Sequence, residues 1–196
     1  MAHDALDFTG LKGKVQGFSD KLIDAHLGLY KGYVTKLNEI EGALKEADRG
    51  APNYSYNAYS ELRRREAIAL NGTVLHELYF EALTAPGTKP SGALADAINA
   101  AFGSYDAWLK DARACSTSTH AWVLVTKSYV DGALHNYMLH GEHHIGVPVH
   151  QKVIVALDLW EHAYHIDYAT SKPGYLDALF AAIDWNKAGE RWDKVK

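Results

Sequence analysis

Val153-Ile154-Val155-Ala156-Leu157 runs directly into Asp158-Leu159-Trp160-Glu161-His162-Ala163-Tyr164, and the first five residues govern how the next seven are read. A short, continuous run of β-branched and apolar residues predicts a buried strand. A carboxylate and an imidazole four residues apart can reach one point on a single helix face or across a strand-to-helix corner. The strand-like residues before Asp158 favour the corner. Asp-x-x-x-His alone is a weak signal, and a structural hydrogen bond accounts for many such matches. The aromatic and acidic residues around it add weight, since Glu161 beside a ligand histidine is the kind of carboxylate that fixes a tautomer.

Upstream, Ala121-Trp122-Val123-Leu124-Val125 predicts another buried strand, followed by a turn at Asp131-Gly132 and a strand over about 133–139. The first half of the chain has a different period. Phe18, Leu22, Ile23, His26, Leu29, Tyr30, Tyr33, Val34 and Leu37 recur at three- and four-residue steps, continued by Ile40 and Leu44 until Asp48-Arg49-Gly50-Ala51-Pro52. A second helix is expected over 55–83, with Leu62, Ile68, Leu75, Leu78 and Tyr79 on its apolar side. Ala85-Pro86-Gly87-Thr88-Lys89-Pro90 is the clearest linker. Beyond it, Ser91 and Ser104 are expected to cap helices reaching about Ala101 and Ala114. The tail returns to helix over about 173–183 and again to near Trp192, with Pro173 in a first turn. The expected class is α+β: an N-terminal antiparallel α-hairpin (1–86), then a mixed α/β half with a three-stranded antiparallel sheet (87–196).

The 196 residues suit one large domain or two small ones sharing a core, and 47% hydrophobic residues against 22% charged is a globular balance. A net charge of −4 argues against nucleic acid as the main partner, and Arg63-Arg64-Arg65 reads as a solvated helix face. No run of about 18 apolar residues is present, so no membrane span is expected. The first ten residues carry two acids and no apolar stretch, which does not read as a secretory signal. With Cys115 the only cysteine, no internal disulfide can form, and a cytoplasmic location is expected.

Among eleven histidines, His26 and His76 fall on the apolar stripes of the two expected helices. A lone histidine there is more often a satisfied core residue. Two facing each other across one hairpin change that reading. With Asp158 and His162 they offer a three-nitrogen, one-oxygen set with room for a further ligand, suited to iron, manganese or zinc.

Residues 158–164 resemble the signature of the iron/manganese superoxide dismutases, Asp-x-Trp-Glu-His-Ala-Tyr, and match it in full. The similarity continues through Ile166-Asp167-Tyr168, Lys172-Pro173-Gly174-Tyr175-Leu176 and Asp184-Trp185. It also takes in Tyr33-Val34, Leu37-Asn38, Leu78-Tyr79-Phe80, Pro90-Ser91-Gly92 and Phe102-Gly103-Ser104, nearly the whole chain in the family's order. The resemblance implies a superoxide dismutase with one iron or manganese ion per chain, held by His26, His76, Asp158, His162 and a solvent molecule. It implies a homodimer or homotetramer, with Tyr33 as the gateway beside bound solvent and Trp160 lining a dry wall. Glu161 would reach the ligand histidine of another subunit.

Departures from the family pattern carry their own expectations. Where iron-type members have a glutamine four residues before the second ligand, this chain has Gly72. The alternative residue, about fifteen positions before the ligand aspartate, is His143, with His140 and His144 as neighbouring candidates. A histidine there leans the metal toward iron, or toward tolerance of both metals. Tyr30 and His165 suggest a reciprocal bond between subunits. Lys172 replaces the usual arginine at the funnel mouth and is the candidate for steering an anion. The competing readings are a zinc or iron hydrolase or oxygenase, which needs a general base and an organic-substrate pocket, and a redox-silent metal-binding protein.

Overall fold

Ser19 starts the first long helix, α1 (Asp20–Glu46), by accepting the amide of Leu22 at 3.1 Å, and Asp20 adds negative charge to the first turn. Its buried residues, Leu22, Ile23, His26, Leu27, Tyr30, Val34, Leu37 and Leu44, follow the expected stripe except at Leu29, which is exposed while Leu27 is buried. Asn57 caps α2 (Ala58–Glu81) through the amides of Tyr59 and Ser60. The helix begins later than expected at residue 55 because Asn53 takes the amide of Ser55 into a side-chain turn. It ends short of Leu83, which bridges to Ile183 instead. The computed structural model describes residues 2–194, without the side chains of residues 144 and 145.

The second half contains α3 (Gly92–Phe102), α4 (Tyr105–Ser118), β1 (Trp122–Ser128), β2 (Leu134–Met138), α5 (His143–Gly146) and β3 (Gln151–Asp158). A 3-10 turn at Glu161–Ala163, α6 (His165–Tyr168), α7 (Lys172–Ala181) and α8 (Trp185–Asp193) complete it. Ser104 caps α4 with its side chain, whereas the side chain of Ser91 makes no cap bond to α3. The short α5 carries His143 between β2 and β3. Among the described residues no helix is long and apolar enough to cross a membrane.

The sheet is antiparallel in the order β2-β1-β3, and β1 is buried between its neighbours. Its register sets Trp122 opposite Asp158. Val125 pairs with Val155 but Thr126 with Val153, leaving Ile154 as an extra residue in β3. The side chain of Arg191, on α8, donates to the carbonyl of Ile154 (2.7 Å), to that of Leu78 on α2 (3.3 Å) and to Glu81 Oε2 (2.6 Å). One guanidinium thus ties the irregular point of β3 to the end of α2. A single hydrophobic core runs through both halves, from Leu22 and Leu75 to Leu124 and Leu179.

Replacing Arg191 with methionine leaves those acceptors without their charged donor. The expected loss is about 2–3 kcal/mol, since Glu81 is one-third exposed and screened. Guanidinium denaturation should show it as a lower midpoint, only partly recovered by lysine. A loss below about 1 kcal/mol would mean that the clamp is not coupled to global stability.

Candidate metal centre

Four elements converge on one carboxylate oxygen. His26 comes from the second turn of α1, His76 from the last turns of α2, Asp158 from the end of β3 and His162 from the 3-10 turn. Asp158 Oδ2 lies 3.2 Å from His26 Nε2, 3.6 Å from His76 Nε2 and 3.0 Å from His162 Nε2. One potential ligand atom from each of the four residues lies within 4.8 Å of the others. The corner reading of Asp158 and His162 therefore holds, because β3 ends at Asp158 and the turn brings His162 back over it.

Asp158 and His76 are oriented from behind. The other oxygen of Asp158, Oδ1, accepts the amide of Trp160 at 3.0 Å, and its carbonyl accepts the Tyr175 hydroxyl at 2.6 Å. His76 Nδ1 lies 2.5 Å from the carbonyl of Gly72, one helical turn earlier, so it carries the ring hydrogen and Nε2 keeps its lone pair. That Nε2 is buried and has no hydrogen-bond partner. A buried acceptor without a donor is costly, and a cation among the four groups would satisfy it. Three imidazole nitrogens and one carboxylate oxygen fit iron, manganese or zinc.

The electrostatics favour the same occupant. Burial lowers the pKa of His26, and lowers that of His76 to about 3, keeping both neutral. Burial alone would raise the Asp158 carboxyl. The adjacent His162 and His26 outweigh it and hold the group well below the ordinary carboxylate range. Neutral imidazoles beside an ionised carboxylate are in the protonation states that metal binding requires.

Aromatic rings close the surroundings. The Trp122 ring meets His76 edge-on at 5.2 Å between centroids, Tyr33 is 5.3 Å from it, and Phe80 is 4.8 Å from His26. Tyr33 lies directly over Gly72, where a Cβ would fall 2.3 Å from its ring. Burial and the charge of Asp158 raise the Tyr33 pKa, so its hydroxyl stays protonated.

His143 is buried beside Tyr33, with ring centroids 6.0 Å apart, and its Nε2 sits 3.0 Å from the Ile68 carbonyl of α2. His140 is exposed, and the side chain of His144 lies outside the described residues. Trp160 is half-buried with its ring against His120 at 5.3 Å. Glu161 and His165 are exposed, and the His162 side chain keeps 30% of its surface.

One sequence expectation needs correction. Tyr30 is fully buried within its own chain; its hydroxyl accepts the Leu6 amide and donates to Glu77 Oε1, both at 2.8 Å. It is therefore not presented to His165 of another subunit. Burial pushes its pKa up to about 12, keeping that hydroxyl a donor. The Lys172 ammonium, half-exposed, donates to the carbonyl of Thr119. Trp122 and Tyr175 are site residues that sequence reasoning missed. Only the β1–β3 register and a hydroxyl-to-carbonyl contact reveal them.

Residues 90–191 match the family model for the C-terminal domain of iron/manganese superoxide dismutases. The chain is 36% identical to the iron superoxide dismutase of Aquifex pyrophilus over 195 residues, covering 92% of this chain and 87% of that protein. It is 38% identical to the iron superoxide dismutase of Cupriavidus metallidurans over 187 residues, with 91% and 90% covered. Identity to a manganese superoxide dismutase of Halobacterium salinarum is 32% over 168 residues, with 85% and 82% covered. A match over more than half of the chain, and relatives of this identity along nearly its full length, mean that the chain belongs to the iron/manganese superoxide dismutase family.

Proposed function

We propose that this chain is a superoxide dismutase whose single iron or manganese ion is held by His26, His76, Asp158 and His162. The observation that carries the reading is the convergence of three imidazoles on Asp158 Oδ2, with His76 Nε2 buried and unpartnered. Residues 1–86 supply two of the ligands and 87–196 the other two, so the site spans the two halves. A bound iron or manganese ion would supply the redox couple, taking an electron from one superoxide, released as oxygen, and giving it to a second, released with two protons as hydrogen peroxide.

The protein's own part is to hold charge and protons. Asp158 contributes the one formal negative charge among neutral imidazoles. Tyr33 keeps a proton on its hydroxyl beside His76 and orders the anion's approach. His143 is held with Nε2 toward the Ile68 carbonyl beside Tyr33, and we assign the two to the proton-supplying network. Trp160 and Trp122 keep the centre dry. We read Glu161 and His165, both exposed beside His162, as facing a second subunit, in a cytoplasmic homodimer or homotetramer. Lys172, tethered to the Thr119 carbonyl, keeps its positive charge and is the candidate for steering the anion. The space above Gly72 is filled by Tyr33, which leaves the histidine arrangement to set the potential. That supports iron, or use of either metal, over manganese alone.

The deciding experiment loads the chain separately with iron and with manganese and measures superoxide dismutation per metal bound. Activity with iron, or with both, is expected, and Asp158→Asn should lose metal and activity together. Stoichiometric metal without dismutation in either form would sink the reading.

Gly72→Ala should displace the Tyr33 ring, because the added Cβ meets it at 2.3 Å. The expected result is activity reduced by about tenfold or more with metal content unchanged. Full activity would show that the Tyr33 position is not critical.

The apoprotein should also respond to acid. Folding lowers the pKa of His76 from 6.5 to about 3 and that of His26 in the same direction, so the unfolded chain binds more protons in this range. Their contribution to stability is fully present above about pH 6.5 and declines as the pH falls from there. Urea unfolding between pH 7.5 and pH 4.5, extremes at about one unit above and two below 6.5, should show the decline. Stability that held constant or rose on acidification would mean that these imidazoles are charged in the native apoprotein.

A further inference from the structure

Residues 3–8 have almost no regular structure, yet side chains of the helical hairpin hold them in place. Asn38 of α1 takes both backbone groups of His3, accepting its amide at 2.7 Å and donating to its carbonyl at 2.8 Å. The His3 ring reaches Glu77 Oε1 at 2.8 Å, and the same oxygen accepts the Tyr30 hydroxyl. The Leu6 amide then donates to that hydroxyl, so the arm grips Tyr30 and Glu77 at once. Further along, Phe8 packs on Tyr30 at 5.9 Å and on Phe80 at 5.3 Å between ring centroids.

The side chains gripped in this way stand behind the helix-borne ligands. Tyr30 stacks on His76, with centroids 6.5 Å apart and planes inclined by 28°. Phe80 abuts His26 at 4.8 Å. Glu77 directly follows His76 on α2, and its side chain is only 15% exposed, a burial that makes its hydrogen-bond partners matter. The resemblance explains neither the arm nor Tyr30, whose cross-subunit role the structure excludes.

We propose that the N-terminal arm is a positioning element of the metal centre. The His3–Glu77–Tyr30 hydrogen-bond chain and the Phe8 ring hold His76 and His26 in register with Asp158 and so slow release of the ion. The proposal rests on the metal-centre reading above. An arm that did no more than stabilise the fold would change melting without changing how firmly the ion is held or how its ligands are oriented.

The test uses the full chain loaded with iron, compared with Tyr30→Phe, Glu77→Leu and Glu77→Gln variants and with a chain lacking residues 2–7. The rate of iron transfer to an external chelator and the rhombicity of the ferric electron paramagnetic resonance spectrum are recorded beside the melting temperature. Tyr30→Phe, Glu77→Leu and the shortened chain should release iron at least about tenfold faster, with altered rhombicity, the scale typical of residues that orient metal ligands. Glu77→Gln keeps an acceptor and should stay nearer the parent. Release rates and spectra unchanged beside lowered melting temperatures would overturn the proposal. If Glu77→Leu fails to fold, His3→Ala removes only the outermost link, and unchanged release in it and in Tyr30→Phe is equally fatal. A parent chain that binds neither iron nor manganese would instead bring down the metal-centre reading itself.

Discussion

A carboxylate with no exposed surface, set in an aromatic core, is the constraint around which the structure is arranged. An isolated charge of this kind would protonate rather than stay buried. Asp158 stays ionised because every side of it is occupied: the Trp160 amide on Oδ1, the Tyr175 hydroxyl on its carbonyl, and imidazoles on Oδ2. Each partner arrives from a different part of the chain. The strand must end at this residue, the following turn must fold back over it, and both helices must point histidines inward. The antiparallel hairpin and the sheet are thereby held against each other at a polar centre as well as through a shared core.

The surrounding rings strengthen this arrangement. They exclude water, and in a medium of low polarity the attraction between carboxylate and cation is larger than at a surface. Burial also keeps His26 and His76 neutral, so the groups that would repel a cation if protonated instead present lone pairs to it. His162 is the exception in exposure, standing at the edge of the cluster beside Glu161. Of the four groups only His162 keeps appreciable exposed surface.

Much of this was legible in the sequence because it rests on period and spacing. Helical steps put His26 and His76 on inward stripes, and a strand-like run before Asp158 turned the Asp-x-x-x-His spacing into a corner. What stayed hidden depends on contacts that no local pattern encodes. Trp122 was readable as a buried strand residue, but its place against His76 follows from the β1–β3 register, which includes a bulge at Ile154. Tyr30 was misread although its spacing held the answer: four residues after His26, it shares the buried stripe and cannot also face another subunit. The arm of residues 3–8 carries no periodicity, so its bonds to Asn38, Glu77 and Tyr30 were invisible.

Gly72 shows how one small residue redistributes roles around the centre. With no side chain there, the Tyr33 ring settles onto the helix backbone, and the carbonyl of the same residue fixes the His76 tautomer. A glutamine at this position would have to displace that ring, so a polar group beside Tyr33 has to come from elsewhere. In this chain it is His143, held to α2 through the Ile68 carbonyl and through Asn71, which donates to the His143 carbonyl. The bare backbone at Gly72 and the position of His143 are therefore both set by where the Tyr33 ring lies. The space left open on the helix is taken by a tyrosine, and the segment between β2 and β3 brings an imidazole against that ring.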